Sequence, residues 1–137
     1  MNYWLLKSEP GDYGIQDLER DQTTNWDGVR NYQARNFLKQ MKVGDLAFIY
    51  HSIKERSIVG IGKCVGEYFT DPTDETAQFV ATKIQFVKKL RNPVSLDSLK
   101  SEKLMQDLLL LKQSRLSVMP FNQKQWDRVI EMSEKYI

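Results

Sequence analysis

Two long runs of strand-forming residues dominate the middle of this chain. Residues 58–69 and 79–90 are rich in Val, Ile and aromatic side chains, which favour extended backbone. Gly60, Gly62 and Gly66 fall on one face of the first run, because side chains alternate along a strand. Glycines at such positions permit bulges, sharp curvature or the close approach of another segment. The pattern therefore predicts a strongly curved sheet, closed or nearly closed into a barrel.

Helices are predicted around these strands. Ala34, Phe37, Leu38 and Met41 follow the i, i+3, i+4, i+7 spacing of an amphipathic helix, and Asn31 stands where its N-cap belongs. Weaker patterns predict a short helix capped by Gly14, one or two helices within residues 95–111, and a closing helix opened by an Asn122/Gln125 capping box. Shorter strands are predicted over residues 3–7, 23–26, 46–51 and 115–118. The sum is an α+β, barrel-like domain with peripheral helices.

Length and composition predict one domain over residues 1–137. A chain of 137 residues with 41% hydrophobic and 28% charged residues buries enough surface for one core. Lys and Arg total 20 against 18 Asp and Glu, so any basic surface must be local. The single cysteine, Cys64, excludes an intramolecular disulfide and a multi-cysteine zinc site. With neither a signal-peptide pattern nor a bilayer-length apolar run, we expect a cytoplasmic monomer, nuclear in a eukaryote, without membrane contact, cofactor or metal.

Polar and aromatic residues form four blocks at the ends of predicted elements, at residues 7–10, 26–36, 50–52 and 114–118. Such positions are where a rigid sheet presents polar side chains to a cleft. We therefore expect the four blocks to converge on one site.

Trp26 is the first candidate for binding chemistry. It precedes the turn pair Asp27-Gly28, so its indole lies at a bend and outside any periodic apolar stripe. Stacking a nucleobase on an aromatic face is worth about 1 to 3 kcal/mol. The alternative interpretation is a core anchor beneath a loop, and spacing alone leaves both open.

Three arginines are candidates for contact with phosphate. Arg30 and Arg35 bracket the predicted start of the helix that Asn31 caps, where guanidinium groups and free backbone N–H groups can both meet an anion. Arg115 follows Ser114, whose hydroxyl is a possible further donor. The alternative is that these are ordinary solvated charges paired with nearby carboxylates.

His51, with Ser8 and Ser52, raises the possibility of a nucleophile and a base. The chain has no G-x-S-x-G elbow and no second histidine, and Glu9 with Asp27 has no spacing that fixes a carboxylate pair. We interpret His51 as structural or hydrogen-bonding, and we predict that the protein is not an enzyme.

The same blocks resemble the motifs of the EVE domain family, small PUA-like proteins related to YTH and ASCH domains. The matching runs are YWLLKSEP at 3–10, WDGVRNYQARN at 26–36, GD at 44–45, YHS at 50–52, PVSL at 93–96 and SRLSV at 114–118. They extend over essentially the whole chain. The resemblance implies a PUA-like mixed β-barrel with peripheral helices, and a pocket that accepts a methylated or hydroxymethylated base.

The resemblance also implies roles for particular residues. Trp26 would stack on the base, while Ser8 and the backbone around Lys7 and Glu9 would hydrogen-bond to its edge. The residues implied to line or flank the cleft and to meet sugar and phosphate are Arg30, Asn31, Arg35, His51 and Arg115. The further residues predicted to bind the ligand are Val29, Tyr50, Ser52 and Ser114.

Three functions are compatible with these residues. The prediction is a nucleic-acid-binding domain that reads a modified base in DNA or RNA. The first alternative is a general RNA-binding, PUA-like accessory domain without base selectivity. The second is a small hydrolase working through Ser8 and His51. Because the net charge is only +2, we expect modest affinity for nucleic acid.

Overall fold

A computed structural model describes residues 1–134, so the last three residues of the predicted domain lie outside it. The elements in chain order are β1 (Tyr3–Ser8), α1 (Ile15–Asp21), β2 (Thr23–Trp26), α2 (Tyr32–Gln40), β3 (Leu46–His51), β4 (Ser57–Thr70), β5 (Val80–Ser95), α3 (Leu96–Lys100), a short 3-10 turn (Lys103–Met105), α4 (Leu109–Lys112), β6 (Val118–Phe121) and α5 (Gln123–Glu134). No helix in this described part of the chain is long and apolar enough to cross a membrane.

The strands form one mixed sheet in the order β2-β5-β4-β3-β1-β6. Strands β1 and β3 run parallel, and the other neighbours are antiparallel. The mixed α+β class is confirmed, but the barrel is not closed, because β2 and β6 lie at opposite edges of the sheet. Each edge strand has four residues, and β6 contains Pro120, which has no N–H to extend a ladder. The predicted closure fails at these two short edges.

The curvature predicted from the glycines is present in β4. Its pairing register with β5 shifts at Gly60, Gly62 and Gly66. A Cβ at Gly60 would overlap the Ile15 side chain of α1, and one at Gly62 would lie 2.6 Å from Ile84 Cγ2. The missing side chains therefore bend the strand and bring α1 against the sheet.

Two predicted strands have different bounds. The last strand is β6, and it begins at Val118, so residues 114–117 are loop and the prediction of a strand over 115–118 is wrong. Strand β5 continues past residue 90 and through Pro93, because the register jumps from Gly60 opposite Lys89 to Ile58 opposite Val94. That irregularity accommodates a residue that cannot donate to the ladder.

The predicted helix caps are present. Asn31 Oδ1 accepts from Ala34 N–H at 2.9 Å, and Gly14 N–H donates to Asp17 at 2.8 Å. Asn122 and Gln125 exchange backbone-to-side-chain hydrogen bonds of 3.0 and 2.8 Å. These contacts fix where α1, α2 and α5 begin.

The core holds the two ends of β1 differently. At the Tyr3 end, Trp126 of α5 stacks on Tyr3 and Phe48 with ring centroids 4.7 and 3.7 Å away. The buried Asp45 carboxylate accepts from Trp4 Nε1 at 3.0 Å. At the other end, β1 stops at Ser8, and the following loop borders open space. The candidate site lies at this second end.

Candidate nucleic-acid interface

Two neighbouring cavities open at the Ser8 end of β1. The larger, here called the Trp26 cavity, measures about 820 Å³, within the usual range for a small-molecule site. Its lining comprises Lys7, Ser8, Glu9, Asp12, Tyr13, Thr24, Asn25, Trp26, Asp27, Gly28, Val29, Arg30, Asn31, Arg115 and Ser117. Three of the four predicted blocks therefore meet here.

The smaller, here called the Arg56 cavity, measures about 470 Å³. Its lining comprises Lys7, Ser8, Glu9, Asp12, Tyr50, Ser52, Arg56, Leu96, Leu110, Ser114, Arg115 and Ser117. Six residues line both cavities: Lys7, Ser8, Glu9, Asp12, Arg115 and Ser117. The two cavities thus share a wall formed by the end of β1 and the loop before β6.

Trp26 is both a core residue and a cavity residue. It is the last residue of β2, opposite Thr82 on β5, and only 7% of it is exposed. Tyr13, which also lines the cavity, approaches it edge-on, with 6.4 Å between centroids and 90° between planes. The two interpretations of Trp26 are therefore compatible. Packing holds the indole rigidly where it borders the cavity.

The wall after Trp26 is held by Asp71, a buried carboxylate from the loop between β4 and β5. It accepts from Gly28 N–H at 2.8 Å, Arg30 Nη1 at 3.0 Å, and both the N–H and hydroxyl of Thr73. Burial raises the pKa of Asp71, but the hydrogen bonds from Thr73, Gly28 and Arg30 outweigh it and hold the pKa at about 2. Gly28 has a φ of 79°, which favours glycine. Asp71 thus fixes the loop that carries Val29 and Arg30.

The shared wall combines a fixed backbone with an unpaired hydroxyl. Lys7 N–H donates to Ser117 O at 2.9 Å, and Lys7 Nζ donates to Ser114 O at 3.0 Å. Burial lowers the pKa of Lys7. Ser8 Oγ is buried and has no hydrogen-bond partner among the described residues. A buried polar atom without a partner is costly, so it is available to a ligand.

His51 lines neither of the two cavities. Its Nε2 accepts from Ile15 N–H at 3.1 Å, and burial lowers its pKa. It lines a separate cavity with Gln16 and Lys54, whereas Ser8 lines the other two. The histidine therefore anchors the start of α1.

The predicted arginines have unequal surroundings. Arg30 is paired with Asp71 and donates to Thr73 Oγ1 at 2.9 Å. Arg35 lies outside both cavities, 4.9 Å from the Tyr32 ring centroid, and donates to a backbone carbonyl at 3.2 Å. Arg115 is exposed, borders both cavities, and makes no hydrogen bond or ion pair with another described residue.

The predicted site residues therefore divide into three groups. Those that line the Trp26 cavity are Lys7, Ser8, Glu9, Trp26, Val29, Arg30, Asn31 and Arg115. Those that line only the Arg56 cavity are Tyr50, Ser52 and Ser114. Arg35 and His51 line neither.

Tyr13, Arg56 and Asp71 were not predicted as site residues. Asp71 stands in the Asp-Pro-Thr-Asp run at 71–74, whose turn chemistry was evident but whose partner Gly28 is 43 positions away. Tyr13 and Arg56 lie beside predicted blocks, and that proximity was the one signal available for them.

Fold and site together define a small α+β binding domain with an aromatic cavity at the end of an open mixed sheet. The chain belongs to the EVE domain family, whose model matches residues 2–132. In an alignment of 167 positions, gaps included, it is 36% identical to thymocyte nuclear protein 1 of Gallus gallus, and the alignment covers 97% of this chain and 69% of the relative. The human protein is 35% identical, with 98% and 75% covered.

Solved structures agree with this assignment. The human THYN1 protein in complex with DNA containing 5-methylcytosine superposes with a TM-score of 0.93, at 34% identity and with 100% of both chains covered. A Pseudomonas syringae protein gives a TM-score of 0.89 at 41% identity, covering 96% of this chain and 99% of that one. A Zygosaccharomyces rouxii YTH domain in complex with N6-methyladenosine RNA, at 11% identity and TM-score 0.60 over 99% and 88% of the chains, shares the fold alone.

Proposed function

We propose that this chain binds nucleic acid and reads a modified base, which it holds in the Trp26 cavity. The observation that carries the proposal is the pairing of a rigid indole with an unpaired buried hydroxyl, Ser8 Oγ, in the lining of one cavity. An aromatic platform and one or two convergent polar groups are what a planar heterocycle requires.

The interaction energies are those of a domain that selects a modified base but binds it with modest affinity. Stacking one base is worth about 1 to 3 kcal/mol, enough to offset much of the cost of extracting it from a strand. A methyl group contributes about 0.8 kcal/mol when fully buried. Discrimination therefore depends on close fit in the cavity that Asp71 braces, and on polar groups such as Ser8 that reject the wrong edge.

Relatives support a methylated pyrimidine as the first ligand to test. The human THYN1 structure, 34% identical to this chain, contains 5-methylcytosine DNA. We propose the same ligand class here, in DNA or RNA.

We further propose a binding module and not an enzyme. Ser8 and His51 line different cavities, and His51 Nε2 is engaged by the Ile15 N–H. A base so engaged cannot take a proton from Ser8 without releasing the start of α1.

The test is fluorescence anisotropy at one fixed salt concentration with matched oligonucleotides carrying cytosine, 5-methylcytosine, 5-hydroxymethylcytosine or N6-methyladenine. The wild type should prefer a modified base. Trp26→Ala should abolish that preference and weaken binding by about tenfold to a hundredfold, the equivalent of one lost stacking contact.

Two further variants control this experiment. Trp26→Phe retains a smaller ring at the same core position, so it should keep part of the preference if the Ala variant folds poorly. Tyr68→Ala removes an exposed aromatic ring outside both cavities and should change nothing. Equal affinity of the wild type for all oligonucleotides would contradict the proposal and favour the general RNA-binding alternative.

A further inference from the structure

The arginines that line the two cavities differ in whether their guanidinium groups already bind other side chains of the protein. Arg30 is committed to Asp71 and Thr73. Arg56 and Arg115 are exposed, and neither side chain makes a hydrogen bond or an ion pair with another residue in the described part of the chain. Both line the Arg56 cavity. The two guanidinium groups that are free to bind an anion therefore both line the Arg56 cavity.

The charge of this cavity suits a singly charged anion. Its lining includes three cations, Lys7, Arg56 and Arg115, and two exposed carboxylates, Glu9 and Asp12. A phosphodiester carries one negative charge, whereas a terminal phosphate carries about two at neutral pH. The small excess of positive charge matches an internal phosphate of a strand.

Backbone contacts fix the main chain at two residues of this cavity, Arg56 and Ser52. Arg56 has a φ of 27° and its carbonyl accepts from Leu96 N–H at 2.9 Å, so its position is set by the β4–β5 pairing next to it. Ser52 N–H donates to Ser8 O at 3.0 Å. A non-glycine residue at positive φ is strained, and such strain concentrates at binding sites.

The cavity is also in the right place to receive a strand. It shares the wall of Lys7, Ser8 and Arg115 with the Trp26 cavity. A nucleotide whose base enters the Trp26 cavity leaves its backbone at that rim, and the next phosphate along the strand must cross it.

We propose that the Arg56 cavity binds the phosphodiester that flanks the base held in the Trp26 cavity, with Arg56 and Arg115 as its direct contacts. This inference rests on the proposed function. The guanidinium forks supply bidentate donors, and Lys7 adds charge from the shared wall. The contact positions the strand without reading its sequence.

The test compares Arg56→Gln with the wild type on modified and unmodified oligonucleotides across a salt series. Loss of one phosphate contact should weaken binding to both by about tenfold and lower the slope of log K against log salt by about 1. The preference for the modified base should stay unchanged. Arg56→Lys, which keeps the charge but loses the fork, should retain most of the slope and part of the affinity.

Lys124→Gln is the matched control. Lys124 is exposed on α5, just past Phe121, which pairs with Tyr3 at the far end of β1 from Ser8. It should leave the slope nearly unchanged. An Arg56→Gln slope equal to that of Lys124→Gln would overturn the inference.

A second arm separates an internal phosphate from a terminal one. Adding a 5′-phosphate to the oligonucleotide should not increase affinity, and an Arg56→Gln loss confined to 5′-phosphorylated strands would overturn the inference. Failure of the proposed function can be told apart from failure of this inference. If the protein does not read a modified base, the wild type shows no base preference. The salt slope on unmodified strands can still be measured in that case, and it tests the phosphate contact alone.

Discussion

The two cavities share one wall and differ in the residues that form their other walls. The Trp26 cavity has two aromatic rings and a loop tied down by the buried carboxylate of Asp71. Among the described residues no carboxylate pairs with the guanidinium groups of the Arg56 cavity, and Arg56 itself is exposed and strained. An aromatic wall held in place suits a flat base, whereas exposed guanidinium groups suit a phosphate. Under the proposed function, base recognition and backbone recognition are therefore separated across Ser8.

The largest effect after loss of Trp26 itself is expected at Asp71. Asp71→Asn removes the charge from a fully buried carboxylate that accepts from Gly28, Arg30 and Thr73. We expect a loss of about 1 to 3 kcal/mol in the free energy of unfolding, because the donors lose a charged acceptor. Chemical denaturation measures this loss. Preference for the modified base should fall, while the salt slope should not decrease, because the loss of the Asp71 charge removes no cation from either cavity.

A weaker salt slope with intact base preference would mean that Asp71 serves the Arg56 cavity instead. Asp74→Asn is a suitable control, because Asp74 accepts a similar set of turn hydrogen bonds, from Thr76, Gln78 and Phe79, none of which lines the Trp26 cavity. Asp71, in contrast, accepts from Gly28 and Arg30, which do line it.

The pH dependence of stability gives a second, smaller signal from Asp71. Its folded pKa is about 2 against an ordinary value of 3.8, so folding favours the ionised form. The stabilisation is therefore present above about pH 4 and is lost as the pH falls through about 2. Thermal unfolding of the wild type and Asp71→Asn across that window should converge toward low pH. Parallel curves would contradict the assignment.

His51 should give the smallest effect, and only on stability. Burial lowers its folded pKa below 6.5, so the folded state binds fewer protons than the unfolded state just below that pH. Stability should therefore decrease as the pH falls from about 6.5, and His51→Gln should remove that slope. Thermal unfolding at several pH values measures it. Because His51 lines neither cavity, oligonucleotide affinity at pH 7.5 should be unaffected.

What the sequence predicts well is local. The caps at Asn31 and Asn122, the bulging glycines of β4 and the two long strands all depend on neighbouring residues. The openness of the sheet depends on which strands meet at its edges, and no local pattern in β2 or β6 encodes that.

The site residues also fall into those that local motifs identify and those that only the folded chain brings to the site. Trp26 and Ser8 stand in motif blocks that the family resemblance identifies, and both line the Trp26 cavity. The brace at Asp71 arises because the β4–β5 hairpin brings its loop to Gly28 across 43 positions. Within the described residues the Arg56 guanidinium makes no hydrogen bond or ion pair, whereas the Arg30 guanidinium is paired with Asp71, and only the folded structure separates the two arginines.

Indole NMR tests directly whether the modified base lies against Trp26. The chain has three tryptophans, so an ¹⁵N-labelled sample gives three indole N–H signals that Trp26→Phe assigns to the cavity. Saturation with a 5-methylcytosine oligonucleotide should shift the Trp26 signal strongly and leave those of Trp4 and Trp126, which lie in the core, nearly unchanged. Saturated binding with an unmoved Trp26 signal would contradict the claim.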